Sequence, residues 1–390
     1  MFEALRILEL SSVLAGPAVG QFFAELGARV VKVENASSDG DVTRCWKKKG
    51  ENTDDISAYF SAVNWGKKSL CVNLYTKAGR DIIHSLARVT DVVIASYKPG
   101  DAKRLGVDYG TLRVINPKII YGQITGYGSH DPRVGYDAVI QAEAGFMFMN
   151  GAPGGPSLKM PVAMIDILAA HQLKEGILVA LLKNAHVQQS IFVEVSLLQV
   201  AISSLANQAT NWLVGNEIPQ KQGSEHPNIA PYGDVFTTRS GDEIILAIGT
   251  DKQFQVMCER LNIIALAADE RFRGNSDRLN NRAALKDLLQ EVIVAHETDS
   301  IVGLLQSSLV PAGAIRNLEK VFELDAAKDI LLHSGQLTGV RTYVGSPLAH
   351  IPSHFLPPPH LGQHTFEILS EELGFDKDAV QKLFLDGTVR

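Results

Sequence analysis

Cysteine is scarce in this chain. Only Cys45, Cys71 and Cys258 occur in 390 residues, far apart. There is no C-x-x-C pair and no even-numbered framework, which excludes a disulfide scaffold and predicts a reducing compartment, the cytoplasm by default. No apolar run approaches the ~18 residues of a membrane span. The start, Met1-Phe-Glu-Ala-Leu-Arg6, lacks the charged and apolar regions of a signal peptide. Positive charge is also lacking. The formal net charge of -6 argues against a nucleic-acid partner. The one basic tract, Arg44-Cys-Trp-Lys-Lys-Lys49, reads as a solvated loop that a nucleotide phosphate could use. G-x-G-x-x-G is missing, since Gly16 and Gly20 are four apart, and so are the P-loop and G-x-S-x-G. These gaps disfavour a nicotinamide oxidoreductase and a serine hydrolase. His354, His360 and His364 flank a proline-rich turn rather than share a helix face, so no metal site is expected. There is no internal repeat or low-complexity segment.

What is present is alternation. Strand-like runs at Leu5–Leu10, Ala28–Glu34, Ser69–Leu74, Asp91–Ser96 and Lys118–Ile124 are interleaved with helical periods such as Pro17–Gly27 and Lys77–Arg88. Strand and helix in turn predict an α/β fold: a parallel sheet covered on both faces, with ligands gathering beyond the strands' carboxyl ends. Residues 1–200 are assigned to a large Rossmann-like domain completed by 328–390. A linker follows at 201–225, then a smaller α/β domain at 226–318 and a return linker at 319–327. Within these, helix is expected from about Ser196 to Gly215, and two short strands near 233–237 and 243–248.

Asp166 is the only ionisable residue between Lys159 and His171, inside Met160-Pro-Val-Ala-Met-Ile-Asp-Ile-Leu-Ala-Ala170. A carboxylate among such neighbours costs several kcal/mol unless compensated. It is either a helix N-cap or first-turn acid, or a group kept for chemistry. An aspartate is ionised at neutral pH without a general base, and it attacks only good electrophiles such as thioesters or activated phosphoryl groups. Such chemistry also needs hydrogen-bond donors aimed at the developing oxyanion. The Gly- and Ser-rich turns after the strands could supply them.

The motif set resembles the class III coenzyme A transferases, the formyl-CoA transferase family, over nearly the whole chain. The matching stretches are Val13-Leu-Ala-Gly-Pro17, Val30-Val-Lys-Val-Glu34, Gly40-Asp-Val-Thr-Arg44, Asn64-Trp-Gly-Lys-Lys-Ser69, Lys98-Pro-Gly100 with Arg104-Leu-Gly106, Gly135-Tyr-Asp137 with Gln141, and Leu361-Gly-Gln-His-Thr365. Each is weak alone, and seven in order are specific. The resemblance implies coenzyme A as substrate, no metal, and an interlocked homodimer. It implies Asp166 as the catalytic nucleophile. It places coenzyme A against Val13, Ala15, Val72, Tyr75, Ser96, Tyr97 and Arg104, with Tyr136 near the thioester and Asp137 orienting Tyr136 or the neighbouring loop. Arg44 is assigned to the distal carboxylate of an acceptor diacid.

The chain also departs from that family. Leu14 stands where formyl-CoA transferase has a glutamine, and Asn35 where it has a basic residue. The glycine-run loop is replaced by Gly223-Ser-Glu-His-Pro-Asn-Ile-Ala-Pro-Tyr232, with His226 as the group covering the site. This version looks like the branch acting on larger acids such as succinate, glutarate, itaconate or oxalate. The alternatives are an α-methylacyl-CoA racemase-like isomerase and a non-catalytic CoA-binding protein. The racemase branch carries Gly-His-Asp where this chain reads Gly135-Tyr136-Asp137. A tyrosine with a pKa near ~10 is a poor base at neutral pH.

Overall fold

The computed structural model describes residues 2–345 and 355–390. His354 lies outside them. The chain divides into two compact units. The first comprises Met1–Phe146, Met160–Gly215 and Asp329–Arg390; the second comprises Met147–Lys159 and Asn216–Lys328.

The first unit is built on six strands: β1 (Arg6–Leu10), β2 (Arg29–Asn35), β3 (Lys67–Val72), β4 (Val92–Ala95), β5 (Ile120–Thr125) and β6 (Ile191–Ser196). They are all parallel, in the order β3-β2-β1-β4-β5-β6. This is the doubly wound order, and the chain reverses direction across the sheet between β1 and β4. Because both faces are covered, the apolar residues of the inner strands feed two cores, and the buried charges Glu9 and Lys32 are paired with each other. Ile7 of β1 and Val92 and Ile94 of β4 enter one core, while Leu8, Leu10, Val93 and Ala95 enter the other. The first core is filled by helices α1 (Ala15–Glu25) and α4 (Met164–Val187), through Val19, Phe23, Ile165, Leu173 and Ile177. The second is filled by α2 (Lys77–Ala87) and by the tail, through Ile82, Ile83, Leu369 and Val380. A short helix, α3 (Asp137–Glu143), precedes α4.

The second unit pairs a three-stranded antiparallel sheet of Tyr232–Thr237, Glu243–Ala247 and Ala312–Ala314 with helices over Asp251–Arg260, Arg282–Ile293 and Thr298–Ser307. Its core includes Phe236, Leu246, Phe254, Leu289 and Ile301.

Three differences from the expected organisation have physical causes. The stretch expected as a linker at 201–225 is helical as far as Leu213 and packs with the first unit. Residues 147–159 join the second unit, which local pattern cannot reveal. The helix expected from Ser196 is preceded by β6, an edge strand whose Phe192 and Glu194 stay exposed and whose apolar residues run straight on into the helix that begins at Leu197. Among the described residues no helix is long and apolar enough to cross a membrane. All three cysteines are free, with Cys45 exposed and Cys71 and Cys258 buried.

Candidate active site

The carboxyl ends of β1 and β4 diverge at the topological switch point. There the Ser12 N–H donates to Ser96 Oγ at 3.2 Å. Two cavities flank this bridge and share Ser12, Ser96 and Tyr97 in their walls. The first, about 300 Å³, is lined by Asn35, Asp41, Val72, Tyr75, Asp101 and Arg104. The second, about 230 Å³, is lined by Val13, Leu14, Ala15, Lys98, Arg133, Tyr136, Asp137 and Asp166.

Asp166 enters the second cavity from the first turn of α4, whose cap residue Ala163 offers no side-chain cap. Asp137 fills that place. Its Oδ1 accepts the Ile165 N–H at 2.7 Å and the Asp166 N–H at 3.4 Å, while Gln141 Nε2 donates to its Oδ2 at 2.6 Å. A carboxylate at a helix N-terminus is favoured by orphan amides and dipole alike. Asp137 therefore fixes the start of the helix carrying Asp166. Burial, with the negative charge of Asp137 second, pushes the Asp166 carboxyl up to about 7. Asp166 is thus a first-turn acid of α4 whose carboxyl lines the cavity.

The wall opposite is the turn from β1 into α1. Val13 sits there at φ 72. A β-branched residue is an outlier in the left-handed region, where strain of about 1–3 kcal/mol persists only if the surroundings hold it. The following helix α1 has no side-chain cap, and its residues Ala15 and Gly16 line the cavity. Gly16 and Gly20 serve close packing: a Cβ at Gly16 would collide with Ser11, and one at Gly20 with the Glu9 carboxylate.

Of the residues singled out from sequence, Val13, Ala15, Tyr136, Asp137 and Asp166 meet in one cavity. Val72, Tyr75 and Arg104 meet in the other, with Ser96 and Tyr97 between. Val72 is a fully buried floor, whereas Tyr75 is exposed. Arg104 is solvent-facing, 3.0 Å from Asp101 and 5.9 Å from the Tyr75 ring centre. His226 belongs to the second unit, where its Nδ1 accepts the Asn228 N–H at 3.1 Å and its ring meets Tyr232.

Arg44 requires a correction. It is 3% exposed and committed to structure. Its guanidinium binds Glu34 bidentately at 2.6 and 2.7 Å, reaches Asp55 and the Pro359 carbonyl, and stacks 3.8 Å from the Phe60 ring centre. It lines neither of these cavities; it borders a separate one with Lys47, Asp54, Asp55 and Arg390, none of which lines the Asp166 cavity. The cations that do line the Asp166 cavity are Lys98 and Arg133.

Tyr59 carries no signal in the sequence. Burial raises its phenol pKa first, followed by the negative charges of Asp166, Asp137 and Asp41. It also stacks edge-on with Trp46 at 5.0 Å. No spacing or motif in the chain points to this residue. Of the histidines considered for metal, His364 Nδ1 accepts the Ser69 N–H, and His360 pairs with Asp55. Among the described residues no group of three potential ligands is arranged to hold a metal.

A doubly wound sheet with paired cavities at its switch point, one of them holding an aspartate of raised pKa, defines a class: an α/β protein with room for a ligand where such sheets bind one. Comparison with known proteins narrows that class. The CoA-transferase family III profile matches residues 2–365. The succinate–glutarate CoA-transferase of Agrobacterium fabrum is 35% identical over 386 residues, covering 95% of each chain. The succinyl-CoA:glutarate CoA-transferase of Mus musculus is 34% identical over 400 residues, covering 99% of this chain and 90% of that one. A CAIB/BAIF family protein from Brucella suis superposes with a TM-score of 0.84 at 36% identity, covering 94% of this chain and 98% of that one. The chain belongs to CoA-transferase family III, and by that membership it is a CoA-transferase.

Proposed function

We propose that this enzyme moves coenzyme A between an acyl-CoA and a dicarboxylic acid through a covalent adduct on Asp166. The observation that carries the reading is Asp166 itself, a carboxylate of raised pKa in the cavity that adjoins the switch point. In its ionised form an Asp166 oxygen attacks the thioester carbonyl carbon. The C–S bond breaks, coenzyme A leaves as thiolate, and an aspartyl–acyl anhydride remains. The thiolate then attacks the Asp166 carbonyl and releases the donor acid as its carboxylate, leaving an Asp166–CoA thioester. An acceptor carboxylate repeats the steps in reverse, so no proton is gained or lost overall. Dividing one difficult exchange into covalent stages is the benefit of the nucleophile.

The backbone N–H groups of Ala15 and Gly16 are the assigned donors to the developing oxyanion. The neighbouring cavity takes the rest of coenzyme A, with Arg104 as a phosphate partner. Lys98 and Arg133 are the cations available to a second carboxylate. The dicarboxylic acceptor is supported by the names of the relatives above. The same reading includes an interlocked homodimer, supported by exposed Trp212, Leu213 and Val214 in the first unit, and a cytoplasmic location.

Asp166→Ala tests the reading. Exchange measured by mass spectrometry, with a panel of acyl-CoA donors against mono- and dicarboxylates, should fall ~10³-fold or more, while affinity for coenzyme A is retained. Substantial residual turnover would contradict it. Run in deuterated buffer, the native enzyme should leave the α-hydrogen unexchanged; exchange there would indicate racemase chemistry.

A further inference from the structure

Along the wall of the first cavity and into the sheet behind it runs a row of charges that the transfer chemistry does not use. Lys32 and Glu9 are fully buried, and Asp41 is 3% exposed. Lys32 Nζ lies 3.1 Å from Glu9 Oε1, 2.9 Å from Asp41 Oδ2 and 3.0 Å from the Ser11 carbonyl. Glu9 Oε2 meets the fully buried Lys67 at 2.7 Å, and Lys67 also donates to Asn64 and to the Pro17 carbonyl. Two carboxylates and two ammonium groups balance in charge. Buried ion pairs of this kind rarely add net stability over apolar packing, so they invite a search for another role.

The role is visible at the end of the row. The Val13 N–H donates to both oxygens of Asp41, at 3.3 and 3.2 Å. Oδ1 also accepts from the Thr43 N–H at 3.1 Å and Thr43 Oγ1 at 2.8 Å. Val13 is the residue in the left-handed region, and it lines the Asp166 cavity. A valine does not rest there unaided. Ser12 on one side is tied to Ser96, and Val13 is tied to Asp41, so the turn is held at two successive amides. An asparagine could not replace the clamp. It offers one acceptor oxygen, and its NH2 would face either the Val13 amide or the Lys32 ammonium.

We propose that Asp41, anchored by Lys32, is a positioning residue for the transfer reaction: its carboxylate clamps Val13 in a strained turn and so sets the wall of the cavity facing Asp166. The inference rests on the function proposed above for Asp166. It makes the buried charges of β1–β3 a device for geometry at the reacting centre, where a displacement of an ångström is expensive in rate.

The test is a double-mutant cycle in the full-length enzyme with Asp41→Asn and Val13→Gly, alone and together. Glycine takes the left-handed conformation without strain and needs no clamp. Asp41→Asn should lower kcat about 30- to 100-fold when residue 13 is valine, and no more than about fivefold when it is glycine. The loss that depends on valine at position 13 should fall on kcat; Asp41 also lines the Val72–Tyr75–Arg104 cavity, and any change of KM arising there should be the same in both backgrounds. An equal fold-loss in both backgrounds, or no loss, overturns the proposal. If Asp41→Asn does not fold, hydrogen exchange of the Val13 amide in the native protein decides: strong protection supports the clamp, and exchange at the rate of a free loop refutes it. Asp166→Ala in the same assay separates the two ideas. Turnover by that variant sinks the mechanism, whereas its silence together with an additive cycle sinks only the clamp.

Discussion

In the proposed mechanism a single acid decides the chemistry, and its burial sets part of the stability. Folding raises the Asp166 pKa from 3.8 to about 7. The folded chain therefore holds this proton more tightly than the unfolded chain does. The burial cost is absent below about pH 4, grows as pH rises, and is complete above about pH 7. The attacking species is the ionised form, so kcat/KM should rise with pH and level off above about 7. Asp166→Asn removes the ionised state. It should be more stable than the native enzyme by about 1–2 kcal/mol at pH 8, a figure kept small because water reaches the site, and the advantage should vanish near pH 4. Thermal melts at the two pH values check the sign. Asp166 is legible in the sequence as an anomaly, since an acid inside Met160–Ala170 has no packing reason to be there. Tyr59 is not legible, because its proximity to Asp166 comes from tertiary packing rather than spacing.

At the level of elements, the strands of the sheet can be read because short β-branched and leucine-rich runs alternate with helical periods, even though Glu9, Lys32 and Glu34 interrupt them. The 24-residue helix α4 is visible only as an apolar stretch. One side of it is buried, through Ile165, Ala169, Leu173 and Ile177, while the other carries exposed Ile167, Val179 and Leu182, so its sequence lacks the one-sided stripe by which a surface helix is recognised. The edge strand β6 escapes because its apolar residues run straight on into the helix that begins at Leu197. Arg44 shows how charge misleads when judged from sequence. It joins β2, through Glu34, to the Asp55 loop and to the tail at Pro359. Arg44→Ala should therefore destabilise the fold by about 3 kcal/mol or more, because it strands a buried carboxylate. The folded fraction should keep its KM for the acceptor acid. A large rise in that KM without loss of stability would return Arg44 to the substrate site.

Across the whole molecule, the sequence motifs match a family whose fold the chain adopts, yet the division into units is only partly readable. Residues 147–159 leave the first unit and return to it in a manner no local pattern announces. The proposed homodimer belongs to this scale. Sedimentation should find twice the mass of the 42.3 kDa chain, with exposed Trp212 and Leu213 protected from exchange. A monomer at micromolar concentration would refute that assembly. Binding of coenzyme A should raise Tm by mass action, and this should hold equally for Asp166→Ala, since the proposed phosphate partner Arg104 lies in the neighbouring cavity.

The proposed transfer stands or falls on a bond between Asp166 and the group being moved. Hydroxylamine added during turnover, followed by peptide mass spectrometry, tests it most directly. A hydroxamate on Asp166 that forms only when acyl-CoA is present is the predicted result. An unmodified Asp166 during full-rate exchange, or a hydroxamate on another carboxylate, would contradict it.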